Sequence, residues 1–417
     1  MIARGAGCVT RTLGGTVLAA LPGARVGDGV RIRSARGVLC GEVASVERAR
    51  VAIAPFGSVA GVAVGDRVEV WGDAHFCPAG FAALGRALDP AGIPLDGRPA
   101  VAGSRAHVVR DRALAPAERR PVTEPFWTGL RVLDGLLTIG RGARIGFFGA
   151  PGAGKTTLLE TIAAGGRGDA VVVALVGERG REAQAWCERI DRRTTIVCAT
   201  SDRSASERVR AADVAMTQAQ RLRDAGLHVV LIVDSLARYA GALREQRSGC
   251  GEPVGRGGYP ASVWAELARY LERAGNGRHG SITLLATVLS DGADEREPLS
   301  EAARSLLDGH VALSSALAQA GHFPAIDVLQ SASRTMAAVV SSAHGTDARR
   351  VRAALALLAQ TQDARAFGLA TDGDPALRSA VRAEAALGAF LRQREPSAPQ
   401  ETVRSLRSLA ALVEPQA

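Results

Sequence analysis

Lysine is all but absent from this chain of 417 residues: one, Lys155, stands against fifty arginines. Aromatic residues are also scarce, at 4%, which argues against the stacking platforms that hold single-stranded nucleic acid. The net charge of +9 does not reverse that reading. Arginines are interspersed with acids, as in GERGREAQAWCERIDRR, so no basic stripe forms and no specific nucleic-acid partner is expected. The six cysteines (Cys8, Cys40, Cys77, Cys187, Cys198 and Cys250) include no C-x-x-C pair, and the seven histidines are dispersed. Neither a disulfide framework nor a zinc site is indicated, and reduced thiols fit a cytosolic protein. No run approaches the roughly 18 apolar residues of a membrane span. The segment LGGTVLAALPGA faintly resembles a secretory leader. Glycines break its apolar run, however, and the alternating GVRIRSARGVLCGEVASV that follows favours strands.

What is present is the composition of a globular chain, 47% hydrophobic and 22% charged, long enough for two or three domains with a sizeable core. Three zones are expected. Residues 1–75 carry short alternating segments and turn signals such as GDG and GDR, the pattern of a small β-barrel or sandwich, of which an N-terminal β-barrel is the one expected. Residues 76–345 include a Pro-, Gly- and Arg-rich connector (97–125). From about 126, wholly apolar runs (ARIGFFG, AVVVALVG, TTIVCAT, HVVLIVD, SITLLATVL) alternate with helical stretches. Strands apolar on both faces are parallel strands covered by helices, so an α/β core is expected. Residues 346–417 contain ARRVRAALALLAQTQ and ALRSAVRAEAALGAFLRQ, amphipathic helices of a C-terminal helical domain.

The lone lysine lies in GAPGAGKT, which fits G-x-x-x-x-G-K-[ST] with a strand before it and a helix after it. Gly149, Ala150, Pro151, Gly152, Ala153, Gly154, Lys155, Thr156 and Thr157 would wrap the phosphates of a nucleotide, presenting N–H groups at a helix N-terminus. Lys155 supplies a compact ammonium that reaches between the β- and γ-phosphate oxygens, where a planar guanidinium does not fit. Thr156 offers a hydroxyl to Mg²⁺. Two carboxylates complete the pattern: Asp234, ending the apolar run HVVLIVD, for water-mediated contact with Mg²⁺, and Glu178, just past VALVG, to polarise an attacking water. ATP and Mg²⁺ are the expected substrate and cofactor.

At these residues the chain resembles the ATPases of type III protein export, relatives of the rotary ATP synthase catalytic subunit. The resemblance covers nearly the whole length. RRPVTEPFWTGLRVLDGLLTIGRGARIGFFGAPGAGKTTLL matches the approach to the P-loop, and GEPVGRGGYPASVWAELARYLERAG matches the segment that separates this family from ATP synthase subunits. The fold implied is a RecA-like P-loop core between a barrel and helices. By the same resemblance Glu178 is the catalytic glutamate, and Arg334, in SASR, is the arginine that reaches into a neighbouring subunit's site. The resemblance further implies a homohexamer, cytoplasmic and peripheral to the inner membrane. Its implied partners are a central stalk protein, a peripheral stator protein, chaperone-bound cargo and an export gate. The loop GAPGAGKTTLL favours an injectisome; a flagellar export ATPase and a rotary catalytic subunit are the alternatives. Three positions depart from the family pattern: Gly257 where it has arginine, and Ala293 and Arg296 in SDGADEREP.

Lys155→Arg keeps the charge and loses the compact ammonium, so ATP hydrolysis should nearly vanish while the thermal melt is unchanged. Steady-state phosphate release from the purified variant checks this, and turnover like the parent's would remove the P-loop assignment.

Overall fold

The computed structural model describes residues 5–48, 50–73, 76–102, 105–107, 113–289, 297–367 and 374–415. Ala293 and Arg296 lie outside the described residues, as does part of the expected connector. The N-terminal segment folds as strands: Ala6–Leu13, Thr16–Ala20, Asp28–Ser34, Gly37–Glu47, Arg50–Pro55 and Arg67–Asp73 close into a barrel. The period of two read from the sequence turns one set of side chains inward. Val9, Val17, Val30, Ile32, Val43, Ile53 and Val68 fill the lumen, with Val17 opposite Ile53 and Ile32 opposite Val68 across the ladders.

Two compact units make up the chain, and their boundaries do not follow the three sequence zones. One comprises residues 1–114, 170–225 and 231–273; the other comprises 115–169, 226–230 and 274–417. In the first unit the strand Ala170–Val176 runs parallel to Thr194–Ala199, and both are buried at every residue. Arg86–Leu88 adds a further parallel strand beside Thr194–Ala199. It is three residues long and too short to carry a period, so the sequence did not reveal it. Over these strands lies the helix Ala205–Asp224. It opens on a capping box in which Ser204 Oγ accepts from the Glu207 N–H (3.3 Å) and Glu207 Oε2 accepts from the Ser204 N–H (3.0 Å).

In the second unit Arg144–Gly149 runs parallel to Ser281–Leu289 on one side and to Gly309–Leu313 on the other. Ile326–Ser333 then pairs antiparallel with Gly309–Leu313. The C-terminal helices Ser342–Gln360, Pro375–Leu391 and Pro399–Leu412 pack on one another and on the short helix Arg131–Leu136. Hydrogen bonds fix them there. His344 Nε2 lies 2.9 Å from the Gly135 carbonyl, Gln393 Nε2 donates to the Gly129 carbonyl (2.7 Å), and Gln393 Oε1 accepts from the Arg131 N–H (2.7 Å). The helices therefore belong to the same packed unit as the P-loop strand.

His228 opens the strand His228–Asp234 and is buried. Its backbone N–H donates to Asp169 Oδ2 (2.7 Å), its Nε2 meets Thr283 Oγ1 (2.9 Å), and its ring stands edge-on to Phe126. Burial, helped by the Arg141 charge and opposed by Asp169, lowers the imidazole to about 4. An unfolded imidazole takes a proton near 6.5. As pH falls between these values the unfolded chain gains a proton that the folded one refuses, so stability falls. Urea midpoints measured down through that window should drop more steeply for the parent than for His228→Asn, by an amount worth up to a few kcal/mol.

Candidate active site

The P-loop grows out of a strand with no polar interior. Arg144–Gly149 buries its last five residues, and the chain leaves it at Gly149, where an added Cβ would lie 3.1 Å from Leu313 Cβ and the Leu313 carbonyl oxygen. Gly152 and Gly154 then take φ of +82° and +85°, the left-handed region that glycine enters without a steric cost. This bend turns the chain directly into the helix Lys155–Gly165. Gly154 caps that helix with no side-chain acceptor, and its first turn holds no acid. Its first N–H groups and the positive end of its dipole thus face outward without a competing carboxylate, which is the requirement for a phosphate cradle. Lys155 Nζ donates to the carbonyls of Gly149 (2.6 Å) and Ala150 (2.7 Å), folding its stem back over the loop. Thr156 follows in the first turn and is half-buried.

The two carboxylates belong to the other unit. Glu178 follows the strand Ala170–Val176 through Gly177, and Asp234 closes the strand His228–Asp234. They are 7% and 5% exposed, and each feels the other's charge. Two further residues, which the sequence reading missed, surround Glu178. Arg238, on the helix Leu236–Gly249, donates from Nη1 to the Gly177 carbonyl, and the same nitrogen lies 3.4 Å from Glu178 Oε2. Glu182, in the first turn of the helix Gly180–Glu188, shares a hydrogen bond with the Glu178 carboxyl. The available signal was positional: Arg238 lies one turn beyond Asp234 and Glu182 one turn beyond Glu178.

Burial is the main force on Glu178. It raises the carboxyl to about 8, with Glu182 and Asp234 adding to the rise and Arg238 opposing it. Glu182 moves the other way, below its ordinary value, because its hydrogen bond with Glu178 favours the ionised form. Their shared hydrogen bond thus pushes Glu178 toward the protonated form and Glu182 toward the ionised one.

Arg334 is exposed and follows the strand Ile326–Ser333. Its backbone N–H donates to the Asp308 carbonyl (3.0 Å), and Nη2 donates to the Arg304 carbonyl (3.4 Å). Asp308 in turn grips the start of the P-loop strand, accepting from the Arg144 N–H (2.9 Å) and from its guanidinium at two positions (3.0 Å each). Arg334 and Lys155 therefore lie at opposite ends of the strand Arg144–Gly149. At about 3.3 Å per residue that strand separates them by roughly 16 Å, more than an arginine side chain spans. Gly257 stands in a short 3₁₀ turn, Arg256–Gly258, with φ of +64°.

Comparison with known proteins supplies the remaining information. Residues 129–333 match the ATP synthase alpha/beta family, nucleotide-binding domain. The chain is 43% identical over 397 residues to a type 3 secretion system ATPase of Sinorhizobium fredii, covering 93% of this chain and 88% of that protein. It is 40% identical over 360 residues to a flagellum-specific ATP synthase of Pseudomonas aeruginosa, covering 84% and 80%. The assembled ATPase EscN from the type III secretion system of enteropathogenic E. coli superposes with a TM-score of 0.92 at 36% identity, over 97% of this chain and all of that one. EscN in complex with its central stalk EscO superposes with a TM-score of 0.88. Barrel, P-loop core and C-terminal helices all correspond in these assemblies, and the chain belongs to the type III secretion system ATPases of the ATP synthase alpha/beta family, enzymes that hydrolyse ATP.

Proposed function

We propose that this ATPase works as a homohexameric ring whose sites are each completed by a neighbouring copy. The observation that carries the reading is the placement of Arg334 at the far end of the strand from its own Lys155. An arginine so placed serves another copy's nucleotide or none. Gly149 to Thr157 cradle the phosphates, and the Lys155 ammonium moves from the loop carbonyls to the β- and γ-phosphate oxygens. The Thr156 hydroxyl and, through water, the Asp234 carboxylate would hold Mg²⁺; both are the hard oxygen donors that cation takes. When bound, the ion offsets phosphate charge. Glu178 orients the attacking water and takes its proton on the carboxylate, Arg238 holds that carboxylate in position, and Glu182 sets how readily it ionises. Arg334 of the adjacent copy offers its guanidinium to the charge that develops on the γ-phosphate.

The work done is export. Hydrolysis releases chaperones and unfolds cargo for an injectisome's export gate at the inner membrane, with the ring on the cytoplasmic side. A central stalk is supported by the EscN–EscO complex, and a peripheral stator and chaperone–cargo complexes complete the partner set. Among the described residues no helix is long and apolar enough to cross a membrane, which fits peripheral attachment.

The value of kcat/KM reports the free enzyme's groups, so its pH profile reads Glu178 directly. With the carboxyl near about 8, kcat/KM should fall about tenfold per pH unit below that value. Removing the Glu182 charge lowers the Glu178 value, so Glu182→Gln should move the break to lower pH. Arg238→Gln should move it higher. A profile that neither variant shifts would detach Glu178 from the proton step.

The ring reading is tested by mixing two inactive proteins, Lys155→Ala and Arg334→Ala. Arginines of this kind contribute roughly 10³ to 10⁵ in rate, so each protein alone should be nearly silent, the second with little loss of ATP affinity. Mixed rings pair an intact P-loop with an intact Arg334 at some interfaces, and hydrolysis should reappear. Activity that is independent of protein concentration and survives Arg334→Ala would overturn the shared site.

A further inference from the structure

A groove of about 440 Å³ lies on the second unit, away from the P-loop and outside every role assigned above. Its floor is apolar: Trp127, half-buried, with Pro399 and Val403 from the N-terminal half of the helix Pro399–Leu412. Its rim is arginine: Arg167, Arg404 and Arg407. The backbone joins the two sides, because the Arg167 N–H donates to the Trp127 carbonyl (3.0 Å). The helix itself is oriented by burial of Thr402, Leu406 and Leu409, which leaves Val403, Arg404 and Arg407 on its outer stripe, one turn apart.

The rim charge is poorly answered. Arg407 lies 4.0 Å from Asp347 and is 69% exposed. Arg167 feels Asp134 at a distance, and among the described residues neither Arg167 nor Arg404 donates a side-chain hydrogen bond within the unit. Tryptophan and arginine around an apolar depression are the residue types in which binding energy concentrates at protein interfaces. Three cations converging on that depression select against basic and neutral partners.

We propose that this groove docks an acidic polypeptide segment, with an apolar side chain seated on Trp127 and Val403 and carboxylates paired to Arg167, Arg404 and Arg407. A segment with an apolar residue and a carboxylate one helical turn apart matches the spacing of Val403 and Arg407 along the facing helix. The partner is thus the reverse of the groove in charge and its complement in shape. The site is independent of nucleotide chemistry, so its failure leaves the catalytic reading untouched.

The probe is a labelled synthetic helical peptide with leucines on one face and glutamates flanking them, titrated into the full chain by fluorescence anisotropy. Two control peptides replace every glutamate by glutamine or every leucine by serine. The glutamate–leucine peptide should bind at least about tenfold more tightly than either control, a difference of about 1.4 kcal/mol, and should weaken as salt rises. It should also change tryptophan emission, and that change should disappear in Trp127→Phe. The exposed pair Arg167→Glu and Arg404→Glu, with an unchanged thermal melt and unchanged ATP turnover without peptide, should cost about tenfold or more in affinity. Equal binding of the glutamine or serine peptide would overturn the proposal. So would undiminished binding to the double variant, or no binding at all.

Discussion

Burial of the central strands on both faces is the constraint from which the rest of the structure follows. Ala170–Val176, Thr194–Ala199 and His228–Asp234 are buried at every residue, and each apolar side chain so covered contributes roughly 1.5–3 kcal/mol. A strand of this kind has no room for a charged group along its length, so every group with chemistry is displaced to an end. Lys155, Glu178 and Asp234 all come within a few residues of a strand's C-terminal end. The same burial governs how Glu178 behaves. Arg238 attracts its ionised form across 3.4 Å, yet removal of water outweighs that attraction and the carboxyl rises rather than falls. That rise brings the carboxyl toward the working pH instead of leaving it far below, which suits the proton-transfer role proposed for Glu178.

The two ends of one strand carry different duties. At one end of Arg144–Gly149 the backbone turns left-handed twice and opens into the helix Lys155–Gly165, the phosphate cradle proposed above. At the other, Asp308 binds the Arg144 backbone and guanidinium together and places Arg334 at its side. The Arg144–Asp308 pair is only partly buried, so it adds little to stability. Its effect is geometric: it fixes which end of the sheet presents Arg334. In the shared site proposed above, an arginine held there would leave the isolated chain an incomplete enzyme and tie turnover to assembly.

The C-terminal helices are joined to this machinery by polar contacts as well as by packing. His344 and Gln393 bond backbone groups of Gly135, Gly129 and Arg131, in the segment that leads into the P-loop strand. Such bonds, once buried, are costly to leave unmade, so the helices and the nucleotide strand belong to one packed body. The last of those helices, which carries the groove, packs on Arg131–Leu136 and on the other two helices of the same unit.

The barrel, the apolar strands and the P-loop were all legible in the residues. Alternation of two and apolar runs bounded by glycine are local consequences of which side chains leave water, and they need no knowledge of neighbours. GAPGAGKT announced itself through the one lysine among fifty arginines, because the space between two phosphate oxygens admits one cation and not the other. Only the tertiary structure decided the rest. It interleaved distant segments into two units and placed Arg86–Leu88 beside Thr194–Ala199. It also set Glu182 and Arg238 around Glu178 and put Arg334 at the end of the sheet away from Lys155. These are contacts between separate elements, fixed by how helices and strands pack; the chain spacing of Glu182 and Arg238 hints at their neighbours, but it does not encode the packing that brings them to Glu178.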